Sequence, residues 1–215
     1  VSLGGTEALV SRDARGRVHL SAAQPLGPYP RRLTERLLKW AAECPDRTFV
    51  ARRDATGSWR RISYGEALHK ARAIGQALLE RGLSAERPLV ILSENDLEHA
   101  MLALAAQHVG VPYAPVSPAY SLISQDNERL RFITGLLAPG LVFAAHGERY
   151  ARAIRAAVGA DTELVVTEAP PQGRPCTLFE SLVAPAPPAA VEAAHAAGGP
   201  APLAKVRVTA GSPPQ

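Results

Sequence analysis

The chain has 215 residues, 47% apolar residues and a net charge of +4 from 24 Lys and Arg against 20 Asp and Glu. Length and mean hydropathy near zero suit a soluble globular chain with a substantial core rather than a disordered or membrane chain. The longest apolar run, Ala100 to Ala106, is far short of the roughly 20 residues a bilayer span needs, so no membrane partner is expected.

The N-terminus lacks a charged-then-apolar leader pattern, which predicts a cytoplasmic location. Cys44 and Cys176 belong to no CxxC or Cys/His cluster and read as reduced thiols. The positive charge is almost all arginine and is interleaved with Asp and Glu. With no aromatic stacking pattern beside it, nucleic acid is not an expected partner.

In chain order, residues 1–30 carry little periodic signal and end in QPLGPYP (Gln24 to Pro30), an extended approach segment. An apolar stripe through Leu33, Leu37 and Leu38 predicts a helix to about Ala42, stopped by Pro45. Thr48 to Arg52 and Ser58 to Ile62 flank Asp54-Ala-Thr-Gly57 and read as a hairpin whose alternating arginines point to solvent on one face. Ser63-Tyr-Gly-Glu66 is a capping box opening a helix that Gly82 ends. Leu89 to Leu92 is a buried strand, and Asn95 or Asp96 caps the next helix, Leu97 to Val109, apolar on nearly all sides. Strands are expected at Tyr113 to Val116, Leu141 to Ala144 and Glu163 to Val166, with helices at Glu128 to Leu137 and Glu148 to Val158. This alternation predicts an α/β fold with a largely parallel, doubly wound sheet. An Ala/Pro/Gly-rich connection with one helical piece, Ala189 to Ala197, leads to a last strand at Lys205 to Val208.

Candidate chemistry is sparse. His19, His69, His99, His108, His146 and His195 sit at no metal-ligand spacing; His99 and His108 are about two and a half helical turns apart and read as core or helix-end residues. No nucleophile–base pair can be argued from spacing, and neither GxGxxG nor a Walker loop occurs. What stands out is Thr209-Ala-Gly-Ser212 after the last strand, a turn whose amides and hydroxyls could converge on an anion.

Several stretches together resemble adenylate-forming enzymes, and bacterial feruloyl-CoA synthetases most of all. They are PLGPYPRRLTERLLKWA (Pro25 to Ala41), RRISYGEAL (Arg60 to Leu68) and SENDLEHAMLALAAQHVGVPYAPVSPAYSLISQD (Ser93 to Asp126), then LAPGLVFAA (Leu137 to Ala145) and AAHAAGGPAPLAK (Ala193 to Lys205). The resemblance implies the N-terminal part of an AMP-binding domain: an extended segment at 1–30, an α/β region at 31–183, a connection at 184–204, and a strand with an incomplete phosphate loop at 205–215. It implies ATP, Mg2+ and CoA as cofactors and an aromatic or other carboxylic acid as substrate, joined through an acyl-adenylate and then a thioester.

Thr209, Gly211 and Ser212 match the start of the family's phosphate loop. Ala210 replaces a serine, Pro213-Pro214 stands where Thr-Gly belongs, and the Pro-Lys that follows is absent. The chain alone is therefore expected to be inactive, as a truncated product or as one half of a split enzyme with a complementary C-terminal polypeptide. A non-catalytic α/β binding or interaction module and a flavodoxin-like domain with an unrelated ligand are the alternatives. On the expectation of an exposed edge strand at Lys205 to Val208 and an uncovered helix at 97–109, the chain would need a partner.

Overall fold

A computed structural model describes residue 5 and residues 7–25, 27–183, 189–199 and 202–208. The chain divides into two units, residues 1–30 and residues 31–215.

The first unit is a hairpin where the sequence predicts only an extended segment. Strands β1 (Ala8–Arg12) and β2 (Val18–Ala22) pair antiparallel, Val10 opposite Leu20. Their turn is held by Asp13, whose carboxylate accepts from the amides of Arg15 and Arg17, while Gly16 takes φ +77°. The second unit repeats this device. Strands β3 (Thr48–Arg53) and β4 (Trp59–Ser63) flank a turn in which Asp54 accepts from the amides of Thr56 and Ser58 and Gly57 takes φ +83°. Without a Cβ, glycine adopts that conformation freely.

Helix α1 (Thr34–Glu43) precedes this second hairpin, and α2 (Tyr64–Glu80) follows it. The capping box at the start of α2 is complete: Ser63 Oγ accepts from the Glu66 amide and the Glu66 carboxylate accepts from the Ser63 amide. At its end, Gly82 at φ +66° lets Leu83 N–H return to Leu78 O, and both leucines are buried.

Beyond α2 comes a five-stranded parallel sheet. Its strands are β5 (Leu89–Leu92), β6 (Tyr113–Pro115), β7 (Leu141–His146), β8 (Glu163–Glu168) and β9 (Thr177–Leu178), in the order β6-β5-β7-β8-β9. Side chains alternate between two cores. Leu89, Ile91, Leu141, Phe143 and Val165 face the layer of α2 and α3 (Leu97–Val109); Val90, Leu92, Val142, Ala144 and Leu164 face α4 (Glu128–Leu137) and α5 (Gly147–Ala157). The doubly wound α/β expectation therefore holds. At 25 cal/mol per Å², each fully buried leucine or isoleucine contributes about 1.5–3 kcal/mol, so the two layers dominate stability.

Helix α3 is not the uncovered helix expected: α1, α2, β3 and α6 (Ala189–Ala197) all pack on it. Gly75 of α2 allows the close approach, since a Cβ there would fall 2.7 Å from Val109 Cγ1. The predicted last strand shrinks to one parallel bridge, Lys205 beside Tyr113, and Arg207 is exposed. Three short elements have no counterpart in the sequence reading: β9, a π-helical turn at Ala119–Ile123 and a 3-10 turn at Phe179–Val183. Each is too short to show a hydrophobic period. Among the described residues no helix is long and apolar enough to cross a membrane, and Cys44 and Cys176 are free thiols.

Ser63→Ala should lower unfolding free energy by about 1 kcal/mol through loss of the cap. Gly75→Val should lower it by about 1–3 kcal/mol through overpacking against Val109. Urea denaturation checks both, and an unchanged midpoint for Gly75→Val would contradict the tight α2–α3 contact.

Candidate functional site

In a doubly wound sheet, ligands bind outside the carboxyl ends of the strands, where the strand order reverses. Here the chain goes from β5 to β6 on one side and returns to β7 on the other, so the crevice lies at the ends of β5, β6 and β7. The residues leaving β5 are Ser93-Glu-Asn-Asp96, and they supply most of its polar groups.

Ser93 Oγ lies 2.9 Å from His99 Nδ1 and donates to Glu94 O at 3.0 Å. His99 Nδ1 is also 3.1 Å from Glu94 O, so the ring is pinned at one nitrogen. Burial holds the His99 pKa below its ordinary value, which keeps the ring neutral at pH 7. This serine–histidine pair joins residues on a strand end and a helix, a proximity that sequence spacing did not reveal. Ser93 is 4% exposed, so its hydroxyl positions the loop rather than facing a substrate.

Three carboxylates at alternate positions reach three different elements. Glu94 pairs with Arg149 of α5 through two contacts, at 3.0 and 3.3 Å. Asp96 pairs with Arg52 of β3, and Glu98 with Arg60 of β4 at 3.3 Å. The arginines of the hairpin are thus divided. Arg52 and Arg60 share the face of Val50 and buried Ile62 and turn toward α3, whereas Arg53 and Arg61 lie over the Trp59 ring, 4.6 and 5.8 Å from its centre. All four stay exposed, and Arg52 and Arg60 also reach carboxylates of α3. The reason is electrostatic: α3 begins with two carboxylates that need partners.

Asp96 occupies the N-cap position predicted for it, but its side chain makes no capping bond; it goes to Arg52. The Arg149 guanidinium beside Glu94 holds that carboxyl below the usual range, and the same pair raises the Arg149 pKa. Both groups are about half exposed, which limits the pair's worth to stability. A cavity of about 260 Å³ lies where Arg52, Asp96 and His99 meet the apolar wall of Val50 and Leu97.

Tyr150 of α5, 2% exposed, has a hydroxyl with no partner among the described residues. Burial pushes its pKa up to about 12. The final segment approaches the same edge. Val206 N–H donates to Tyr113 O at 2.9 Å and Tyr113 N–H to Ala204 O at 3.3 Å, so residues 204–206 run parallel to β6 toward its carboxyl end.

The three residues matched to the phosphate loop, Thr209, Gly211 and Ser212, lie outside the described residues. The described residues contain no group of three or more His, Cys, Asp or Glu able to hold a metal ion. Glu94, Asp96 and Glu98 already have arginine partners, so this donor set does not fit Mg2+.

Residues 37–207 match the family described as AMP-binding enzyme. The chain belongs to this family. Solved structures agree on the fold. The luciferase-like enzyme of the nonluminescent mealworm Zophobas morio superposes with a TM-score of 0.59 at 15% identity, over 82% of this chain and 38% of that one. Acetoacetyl-CoA synthetase from Streptomyces lividans gives 0.58 at 18% identity, over 72% and 25%. A protein assigned as a long-chain-fatty-acid CoA ligase from Rhodopseudomonas palustris gives 0.56 at 24% identity, over 73% and 37%. The chain therefore spans well under half the length of these structures.

Two outcomes follow from this geometry. Arg52→Ala should destabilise by about 1–3 kcal/mol, because Asp96, whose side chain is 7% exposed, loses its partner; adding Asp96→Ala should recover part of that loss in urea denaturation. Tyr150 stays protonated in the fold while the unfolded chain ionises near its ordinary value of 10. Stability should therefore fall between pH 10 and about 12, and Tyr150→Phe should remove this part of the alkaline loss.

Proposed function

We propose that this chain forms the N-terminal part of the AMP-binding domain of an ATP-dependent carboxylic acid–CoA ligase. The observation that carries the reading is the family match reaching residue 207, together with the parallel course of residues 204–206 toward the carboxyl edge. In this reading the segment beyond Val208 supplies Thr209, Gly211 and Ser212 as hydroxyl and amide donors to the ATP phosphates. A substrate carboxylate attacks the α-phosphate, pyrophosphate leaves, and the CoA thiol then displaces AMP to give the thioester. No step is assigned to Mg2+ through the described residues. An aromatic acid of the ferulate type is the proposed substrate, on the sequence boxes from Pro25 to Lys205.

Pro213 and Pro214 offer no N–H to a phosphate, so the loop within these residues is incomplete. A complementary polypeptide carrying the rest of the domain is part of the proposal. Phe132 and Leu136, one turn apart on α4 and 69% and 70% exposed, support it as a surface for that polypeptide to cover.

The test is ATP–pyrophosphate exchange with a panel of carboxylic acids. The 215-residue chain alone should give no exchange above background. With the complementary polypeptide, ferulate should drive exchange, and Ser212→Ala should reduce it by about tenfold or more. Exchange by the chain alone would overturn the need for a partner, and no acid-dependent exchange by the assembly would overturn the ligase reading.

A further inference from the structure

Helix α6 is held against the α2–α3 layer by apolar packing and by an unusual polar cluster. Val191, fully buried, packs into the notch that Gly75 leaves on α2. Beside it the ring of His108 on α3, 0% exposed, stacks on the ring of His195 with centres 4.2 Å apart and planes 28° from parallel. Both ring nitrogens of His108 lack a hydrogen-bond partner among the described residues. This departs from the expectation of an ordinary satisfied core histidine. His195 Nε2 lies 3.1 Å from Thr34 Oγ1.

The charged groups facing the pair come from every neighbouring element. Arg72 of α2 lies with Nε 2.7 Å from Glu192 Oε1 of α6, an ion pair by distance whose angle is off the hydrogen-bond line. Glu35 of α1 is the second carboxylate acting on His195. Arg32, ahead of α1, donates to His108 O at 2.8 Å and fills the space beside Gly198 that a Cβ would need. Arg31 donates to Gly198 O at 3.2 Å. The same stretch then runs to Lys205 and its bridge beside Tyr113. A proton placed on the stacked rings would thus meet two arginines and no acceptor at His108, and separating α6 from α3 would bring it into water.

We propose that α6 is a proton-released latch, in which acidification charges the buried His108–His195 pair and frees α6 and the Lys205 edge bridge from the sheet layer. Burial above all, then His195, Arg72 and Arg32, pushes the His108 pKa down to about 4, and burial also lowers that of His195. Both lie below the ordinary 6.5, so docking is strongest above that pH and weakens as pH falls from 6.5 toward about 4, levelling off below. A drop from 6.5 to about 4 at His108 corresponds to an undocking constant roughly a hundredfold or more larger at the acid end. Any effect on the phosphate loop rests on the function proposed above; the release itself does not.

Hydrogen exchange of the full chain, corrected for intrinsic rates and compared between pH 7 and pH 4.5, tests the latch. Peptides covering 189–206 should lose protection by at least tenfold while those covering β5 and β7 keep theirs. His108→Phe keeps a stacking ring that cannot charge, and should remove most of that loss. Parallel loss of protection in the core strands, or an unchanged release in His108→Phe, would overturn the proposal. In the unmodified chain, NMR titration should show the α6 amides shifting together with the His108 ring. A His108 ring that titrates at its ordinary value while the α6 amides stay still would equally overturn it.

Discussion

The arrangement depends on β5, four residues all fully buried at the centre of a parallel sheet. Parallel pairing leaves neither face to water, so both faces must be covered, and Leu89-Val-Ile-Leu92 sends alternate side chains into two separate cores. One layer contains α2, α3 and α6; the other contains α4 and α5. Because β5 is pinned on both sides and by both neighbours, the residues that leave it emerge at a defined place. That place is the carboxyl edge, between the ends of β6 and β7.

From that edge the segment Ser93 to Glu98 works as a junction. Its three carboxylates tie the hairpin to α3 and the β5 end to α5, and the Ser93–His99 contact holds the turn between strand and helix. The final described segment pairs with Tyr113, the first residue of β6, and from there runs parallel to β6 toward this edge. In the function proposed for this chain, such an edge offers a fixed backbone, paired side-chain charges and a neighbouring segment that runs parallel to the strands.

Much of this was legible in the residues, for physical reasons. The capping box at Ser63, the stop at Gly82 and the apolar runs at 89–92 and 97–109 act through local geometry, and the structure follows them. The hairpin at β1 and β2 is legible too. Asp13-Ala-Arg-Gly16 repeats the Asp-Ala-x-Gly pattern of residues 54–57, and both turns use the aspartate and glycine alike. Contacts between distant residues were not legible. Arg52 with Asp96, Ser93 with His99, and His108 on His195 depend on how layers pack, which no window of sequence contains. The reduction of the last strand to a single bridge belongs with these.

The central claim is that the carboxyl edge at β5, β6 and β7 receives the nucleotide. Hydrogen exchange with and without ATP, on the chain assembled with the rest of its domain, tests it most directly. The account predicts nucleotide-dependent protection in residues 93–99, 113–117 and 204–208. Protection confined to the opposite edge, at residues 135–140 and 159–162, would contradict it.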